Sequence, residues 1–433
     1  MTPKFPYRYR VLVLLFFLMF ITYLDRITIS LVGVRIKSAF QLSNEQFGWV
    51  VGAFALAYAI FEIPSGMLGD RWGQKKVLIR IVLWWSFFTA LTGATTGLYT
   101  LLLTRFLFGM GEAGAYPNGS AVICRWFPRL ETSRGLSVLI VGQNAGAAIA
   151  PLIVVPLALH WGWRVPFFFN GLIGLVWVAI CLSWFRNEPA AMKGISKEEV
   201  KLVEENRRFD SHHFKFPWKI LKTRASLWLM FLGFFCSQWA LYFYVAWMSV
   251  YLQQGRHFSE SAMKTITMLT FGMGMVGALA IGWTGDYLVR KRGLVFGRRF
   301  LGTLALGVSS ICFTISALAV SNTVTAISLM IGEFFTAGMG IIAFSVCVDI
   351  GGRYTGTVAG MMNFAGQTGA FFLSISFGKI VDHFHNFNTP LLLISGVLLL
   401  GSICWQFIQP NRKLEDEFSH DGAHESIRQI HHN

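Results

Sequence analysis

The sequence predicts an all-α membrane protein: twelve transmembrane helices in two pseudo-symmetric six-helix bundles, with both termini cytoplasmic. Three observations carry that expectation. The composition is too apolar for a water-soluble globule, the apolar runs have membrane-spanning length, and lysine and arginine are distributed lopsidedly between the loops. Of 433 residues, 54% are hydrophobic and only 14% charged, whereas soluble domains carry about 25% charged residues. With 40 Phe, 15 Trp and 43 Gly, the chain lacks the polar groups to cover a globule in water, and it is too apolar to stay disordered. A net charge of +15 would suit nucleic acid only if gathered on one soluble face. Here the cations are scattered between apolar runs, so the expected partner is the lipid bilayer and no nucleic acid.

A bilayer-spanning helix needs about 20 mainly apolar residues. Such runs lie near 11–33, 47–68, 77–96, 98–120, 135–158 and 163–185. After a polar gap they resume near 224–252, 262–284, 300–319, 323–348, 356–380 and 390–409. The expected domains are therefore an N-terminal bundle over 1–190, a cytoplasmic linker over 191–222, a C-terminal bundle over 223–410 and a cytoplasmic tail over 411–433. The first run follows Lys4, Arg8 and Arg10, as a signal peptide would, but it is too long and lacks a small-residue cleavage site. If the N-terminus is cytoplasmic, 29 of the 37 lysines and arginines fall on that side. Six fall opposite (Arg35, Lys37, Arg164, Arg256, Lys264, Lys379), and Arg26 and Arg105 lie within spans. That is the asymmetry the positive-inside rule demands. Short outer loops and the lack of eukaryotic targeting signals fit a bacterial inner membrane.

The linker reads "SKEEVKLVEENRR", in which Ser196 and Glu199 have capping-box spacing and acids alternate with bases. A short amphipathic helix lying on the cytoplasmic surface is expected there. The six cysteines are dispersed among the apolar runs with no CxxC, so they read as small packing residues. All ten histidines fall in loops or the tail, so no metal site and no cofactor are expected.

An internal repeat supports two related halves. "GMLGDRWGQKK" after the second run and "GWTGDYLVRKR" after the eighth both give G-x-x-G-D followed by basic residues, at Asp70 and Asp286. "GQNAG" and "GQTGA" recur at a similar offset. Duplicated six-helix halves are a transporter architecture with its site between the halves. "GMGEAG" and "GMGMVG" satisfy a dinucleotide-binding pattern, but neither follows a strand, so a nucleotide site is rejected on context. Glycines at that spacing let helices approach closely.

Ionisable side chains at membrane depth cost at least ~2.5–3.5 kcal/mol on insertion scales and mark function by default. The first run holds Asp25 and Arg26; the fourth holds Arg105 and Glu112, two helical turns apart with Gly109 between them. Gly109 leaves room for a small molecule or for a neighbouring helix. Acids and bases on two helices can neutralise one another until an incoming carboxylate competes for an arginine, whose planar fork matches it. A freed acid can then take a proton. Such groups can also merely fix helix register. Weaker signals are Tyr58 with Glu62, Gln143 with Asn144, Gln238, Tyr242 and Tyr244, Glu333, and Asn363 with Gln367.

"GMLGDRWGQKKVL" resembles the signature between helices 2 and 3 of the major facilitator superfamily. "YLDRITIS", "FEIPSGMLGDRWG" and "RFLFGMGEAGAYPN" are similar to its anion:cation symporter branch, which includes bacterial hexuronate and aldonate transporters and vesicular glutamate and sialic acid carriers. The resemblance covers nearly the whole chain and is strongest in the first half. It implies proton-coupled symport of a small organic anion by alternating access; the chain is expected to function as a monomer. It assigns proton coupling to Asp25 and Glu112, and substrate binding to Arg26, Arg105, Tyr58, Gln143, Asn363 and Gln367. A cytoplasmic gate falls to Asp70 and Arg71, with Asp286 at the repeated position. Glu62 departs from the uncharged residue common in relatives. An exporter of metabolites or drugs, and an anion exchanger or uniporter without proton coupling, remain open alternatives; "GQNAGAAIAP" lacks the Pro-Gly-Gly of typical exporters. No nucleophile–base constellation points to an enzyme.

Overall fold

A computed structural model describes residues 6–128, 131–205 and 224–414, and among these all regular structure is helical. The helices are α1 (Tyr7–Leu31), α2 (Gly33–Phe40), α3 (Asn44–Trp72), α4 (Gln74–Gly93), α5 (Leu98–Glu112), α6 (Ala115–Trp126), α7 (Thr132–Trp161), α8 (Val165–Trp184) and α9 (Lys197–Glu205). There follow α10 (Ala225–Tyr242), α11 (Glu260–Arg292), α12 (Leu294–Leu318), α13 (Asn322–Gly351), α14 (Thr355–Phe384) and α15 (Thr389–Trp405). Nine helices among the described residues are long and apolar enough to cross a membrane. The remaining three expected spans fall on α5 with α6, on α14, and on the 17-residue α15.

The run at 98–120, expected to be one span, is two helices. Helix α5 stops at Glu112, Ala113 is extended, and Gly114 takes φ +94° before α6 begins. A side chain there would be strained by the left-handed backbone and would also collide with Ser65. The tenth helix also departs from regularity, running on through π-helical turns at Phe243–Trp247 and Tyr251–Gly255. Both irregularities are of the kind that gather at functional sites.

The described chain divides into two compact units. One contains the described residues of Met1–Ser211, Tyr242–Met275 and Ala370–Pro390; the other those of His212–Leu241, Val276–Gly369 and Leu391–Asn433. Within the first, α1 packs on α7 because glycine lets the backbones touch: a Cβ on Gly142 would stand 2.6 Å from the Phe16 carbonyl oxygen. The indole of Trp177 donates to the Leu14 carbonyl at 2.8 Å and ties α8 to the same helix. Helix α3 opens on a full capping box, with Gln46 N–H donating to Ser43 Oγ and Ser43 N–H to Gln46 Oε1.

The linker helix forms as expected over Lys197–Glu205, but its capping box is only half made. Ser196 Oγ accepts from Glu199 N–H at 3.1 Å, while the Glu199 carboxylate accepts from the Tyr7 and Arg8 amides at 3.1 and 2.9 Å. Glu199 thus caps α1 and supplies a negative charge to the positive end of that helix. The helix is a docked brace and not merely a solvated linker. In the second unit, Ser309 Oγ of α12 donates to the Gly332 carbonyl of α13 at 3.1 Å, and Arg298 pairs with Asp349 at 2.8 Å.

Candidate anion site and a latch at one end of the first unit

The four charges expected at membrane depth all lie buried in the first unit. Asp25 and Arg26 come from α1, and Arg105 and Glu112 from α5. Glu112 is the last residue of α5, so the break at Gly114 fixes where its carboxylate sits. Arg26 Nε donates to Glu112 Oε1 at 2.5 Å, an ion pair that crosses from α1 to α5. The Arg26 guanidinium carbon lies 4.6 Å from the centre of the Tyr58 ring and 5.1 Å from those of Tyr23 and Phe54. An aromatic wall of this kind holds a cation by its π-faces without neutralising it. Tyr58 therefore lines the charge cluster.

Asp25 and Arg105 are different. Both carboxylate oxygens of Asp25 are sealed from solvent without a hydrogen-bond partner, as is Arg105 Nε. Arg105 forms no ion pair with any described residue, and its guanidinium carbon lies 4.4 Å from the centre of the Phe108 ring. Asp25, Glu112 and Arg26 lie within its electrostatic reach, and so does Tyr242. Among the described residues the cluster thus contains one closed ion pair, and one acid and one cation that form no ion pair. The space Gly109 leaves goes to the neighbouring helix and not to a small molecule, since a Cβ there would stand 2.5 Å from the Phe54 carbonyl oxygen.

Two polar residues that the sequence reasoning passed over stand near Asp25. They are Asn170 of α8 and Thr89 of α4, both buried. Asn170 donates to Thr28 Oγ1 at 2.8 Å, and its own Oδ1 is sealed without a partner. An asparagine within the apolar "FFFNGLIG" was the available signal. Gln143 is half-buried in α7 with only a weak 3.8 Å contact to Met19 Sδ. Asn363 and Gln367 lie in the other unit, half-buried and buried, on α14. In that unit a Cβ on the adjacent Gly366 would meet Gln238 Cγ at 2.9 Å. Glu62 is buried beside Tyr58 and Tyr116. Of the residues assigned to a gate, Arg71 and Asp286 are exposed, and the side chain of Asp70 lies outside the described part. Among the described residues no group of three His, Cys, Asp or Glu could hold a metal.

A second polar constellation in this unit was legible only as scattered loop charges. Asp382, near the end of α14, accepts from Asn44 N–H (3.2 Å), Glu45 N–H (2.7 Å) and Asn44 Nδ2 (2.7 Å), and so caps the first turn of α3. Lys37 of α2 donates to Asn44 Oδ1 and to Gln254 Oε1, the latter at 2.7 Å. Arg35 grips Glu260 with two hydrogen bonds of 3.2 and 2.8 Å. Beneath these, Trp247 stacks on Phe377 at 4.6 Å and donates to the Ser374 carbonyl. Burial pushes the Lys37 ammonium down to about 8 against the opposing pull of Asp382. The Asp382 carboxyl is drawn below the usual carboxylate range by the hydrogen bonds it accepts, which outweigh its partial desolvation. Segments far apart in sequence are latched here by charge and capping together.

Comparison with known proteins agrees with this architecture. The family model of the Major Facilitator Superfamily matches residues 15–374. The chain is 29% identical to a probable sulfoacetate transporter of Cupriavidus necator over 420 residues, covering 95% of this chain and 96% of the relative. It is 29% identical to a hexuronate transporter of Bacillus subtilis over 407 residues, covering 92% and 94%. Against a probable galactarate/D-glucarate transporter of Escherichia coli it is 27% identical over 421 residues, covering 93% and 94%. Among solved structures, an inward-facing, unoccupied bacterial homologue of the human lysosomal transporter Spinster superposes with a TM-score of 0.75 at 17% identity, covering 94% of this chain and 97% of that one. A D-xylose–proton symporter gives a TM-score of 0.73 at 14% identity, covering 94% and 99%. An apolar multi-helix chain with buried charges at broken helices, matched along most of its length, is a multi-pass membrane transporter and not an enzyme, and it belongs to the Major Facilitator Superfamily.

Proposed function

We propose that this transporter carries a small organic anion, a sugar acid such as a hexuronate or an aldonate, together with protons. It does so by alternating access, as a monomer, in a bacterial inner membrane with both termini cytoplasmic. The observation that carries the reading is Arg105, a buried cation without an ion pair beside a closed Arg26–Glu112 pair and a partnerless Asp25. A carboxylate entering this cluster gains a guanidinium fork at Arg105 and competes with Glu112 for Arg26. Glu112, once displaced, would be an uncompensated buried charge, and such a charge costs several kcal/mol unless it takes a proton. Asp25, with no partner of its own, is the proton's other seat. Each anion therefore enters with a neutralising proton, and the loaded site presents no net charge to the membrane interior.

Tyr58 and Gln143 add substrate contacts in this reading, and substrate-binding roles for Asn363 and Gln367 rest on the resemblance. The names of the relatives support the substrate class: hexuronate, galactarate or glucarate, and sulfoacetate are all small carboxylates. The Lys37–Asn44–Asp382 latch serves as the outer closure, and Asp70, Arg71 and Asp286 are assigned to the cytoplasmic gate. Uptake into proteoliposomes under an imposed pH gradient tests the reading, with hexuronates, aldonates, galactarate, sulfoacetate and phosphate offered in turn. A sugar acid should accumulate, and collapsing the gradient should stop it. Accumulation that ignores the pH gradient, or follows a sodium gradient instead, would remove proton coupling.

A further inference from the structure

Glu333 takes no part in the cluster just described. It lies in the other unit, mid-way along α13, and is 1% exposed. Its Oε2 is sealed from solvent without a hydrogen-bond partner, and no ion pair or hydrogen bond engages its carboxyl among the described residues. The polar groups nearest along its helix are already committed to one another. Ser309 Oγ of α12 bonds the Gly332 carbonyl at 3.1 Å and Thr336 Oγ1 at 3.2 Å, while Thr336 Oγ1 donates back to Gly332.

Among the described residues, the elements packed against α13 offer no counter-charge: α10, which meets it at Phe234 and Phe344, carries no Asp, Glu, Lys or Arg, and α14, which meets it at Met362, carries none before Lys379. On α12, Arg298 is paired with Asp349 at 2.8 Å, and Arg299 donates to the Ile408 carbonyl. Helix α11 approaches so closely that a Cβ on Gly338 would stand 2.8 Å from Ile281 Cβ, yet its acid and bases in this unit, Asp286 and Arg290 to Arg292, sit at its far end. Asp349 is itself about 24 Å along the helix axis from Glu333 at 1.5 Å per residue. Cys312 is the remaining titratable side chain of α12 within the apolar interior.

An ionised carboxylate in that setting has neither water nor a cation nor a donor, whereas the carboxylic acid is neutral and itself a donor. A glutamine would fill the same volume without charge. What a glutamate adds is the capacity to give the proton up when its surroundings change. We infer that Glu333 is a proton-binding site of the second unit, occupied in this conformation and separate from the arginine cluster. The step is simple association of a hydrogen ion with one carboxylate oxygen.

Infrared pH titration of the full-length protein in lipid nanodiscs tests this directly, without any transport assay. The wild type at neutral pH should show a protonated-carboxyl C=O band that shifts in deuterium oxide. That band should be lost in Glu333→Gln and kept in Asp25→Asn and Glu112→Gln. Glu333→Asp, which keeps the acid, should show it at a shifted position, so loss in the glutamine variant cannot be put down to misfolding. A wild-type spectrum at neutral pH that overlays that of Glu333→Gln would overturn the assignment. Because the readout is a band and not uptake, failure of the symport reading would leave it untouched.

Discussion

Replacing Asp382 by Asn should loosen the latch by an amount the structure sets. The carboxylate accepts three hydrogen bonds from the first turn of α3, and Oδ2 alone holds the Glu45 amide at 2.7 Å. Asparagine keeps one acceptor oxygen and turns an NH2 group towards at least one of these donors. One charge-assisted bond is worth about 1.5–3 kcal/mol. The group is only half-buried, so solvent screening brings the expected loss to about 1–2 kcal/mol. That corresponds to a roughly 5–30-fold shift in the balance between latched and open forms. Ser374 reports on it: it is fully buried, and its carbonyl takes the Trp247 indole. In a background without native cysteines, Ser374→Cys should react with a water-soluble maleimide about 5–30 times faster when Asp382→Asn is added. Equal rates in the two proteins would show that Asp382 does not hold this end shut, whatever its bonds look like.

The same probe reads the effect of pH. The latched state holds Lys37 near 8, below its ordinary 10.5, so it binds fewer protons than an open state in which the amine meets water. Between about 8 and 10.5, rising pH therefore favours the latch and should slow labelling of Ser374→Cys; below about 8 the lysine is charged in both states and its contribution is flat. Lys37→Met should abolish that slope, and a slope that persists would point to another group. Arg26→Ala leaves the Glu112 carboxylate buried and unpaired, a change of about 3–5 kcal/mol, whereas the double replacement Arg26→Met with Glu112→Leu should restore much of the thermal stability. A double variant melting no higher than Arg26→Ala would contradict the pairing. Gly142→Ala forces a methyl towards the Phe16 carbonyl and should lower stability by about 1–3 kcal/mol in a denaturation assay, with no loss expected if α1 and α7 can part there.

Much of the site was legible because lipid makes charge conspicuous. Asp25, Arg26, Arg105 and Glu112 announce themselves in apolar runs, whereas Gly109 left open whether a small molecule or a neighbouring helix takes the space that α3 fills. The pairing was not legible. Which acid meets which base depends on how α1 crosses α5, and that crossing left Asp25 and Arg105 without partners. The break after Glu112 was hidden by the continuous hydrophobicity of 98–120, although Gly114 and Pro117 stand there as turn signals. The latch was invisible for a different reason. Asn44 and Asp382 are 338 residues apart, and nothing local marks two loop-end polar residues as partners. Glu199 similarly fitted a local capping box but was drawn to the amides of α1, since tertiary donors without partners outcompeted its own helix.

The claim that protons enter with the anion at Glu112 and Asp25 is tested most directly by the double variant Asp25→Asn with Glu112→Gln in proteoliposomes. Two modes are compared: exchange of labelled anion across equal pools, and accumulation driven by a pH gradient. The account expects exchange to persist, because Arg26 and Arg105 still bind the anion, while gradient-driven accumulation is lost. Accumulation equal to that of the wild type would contradict it.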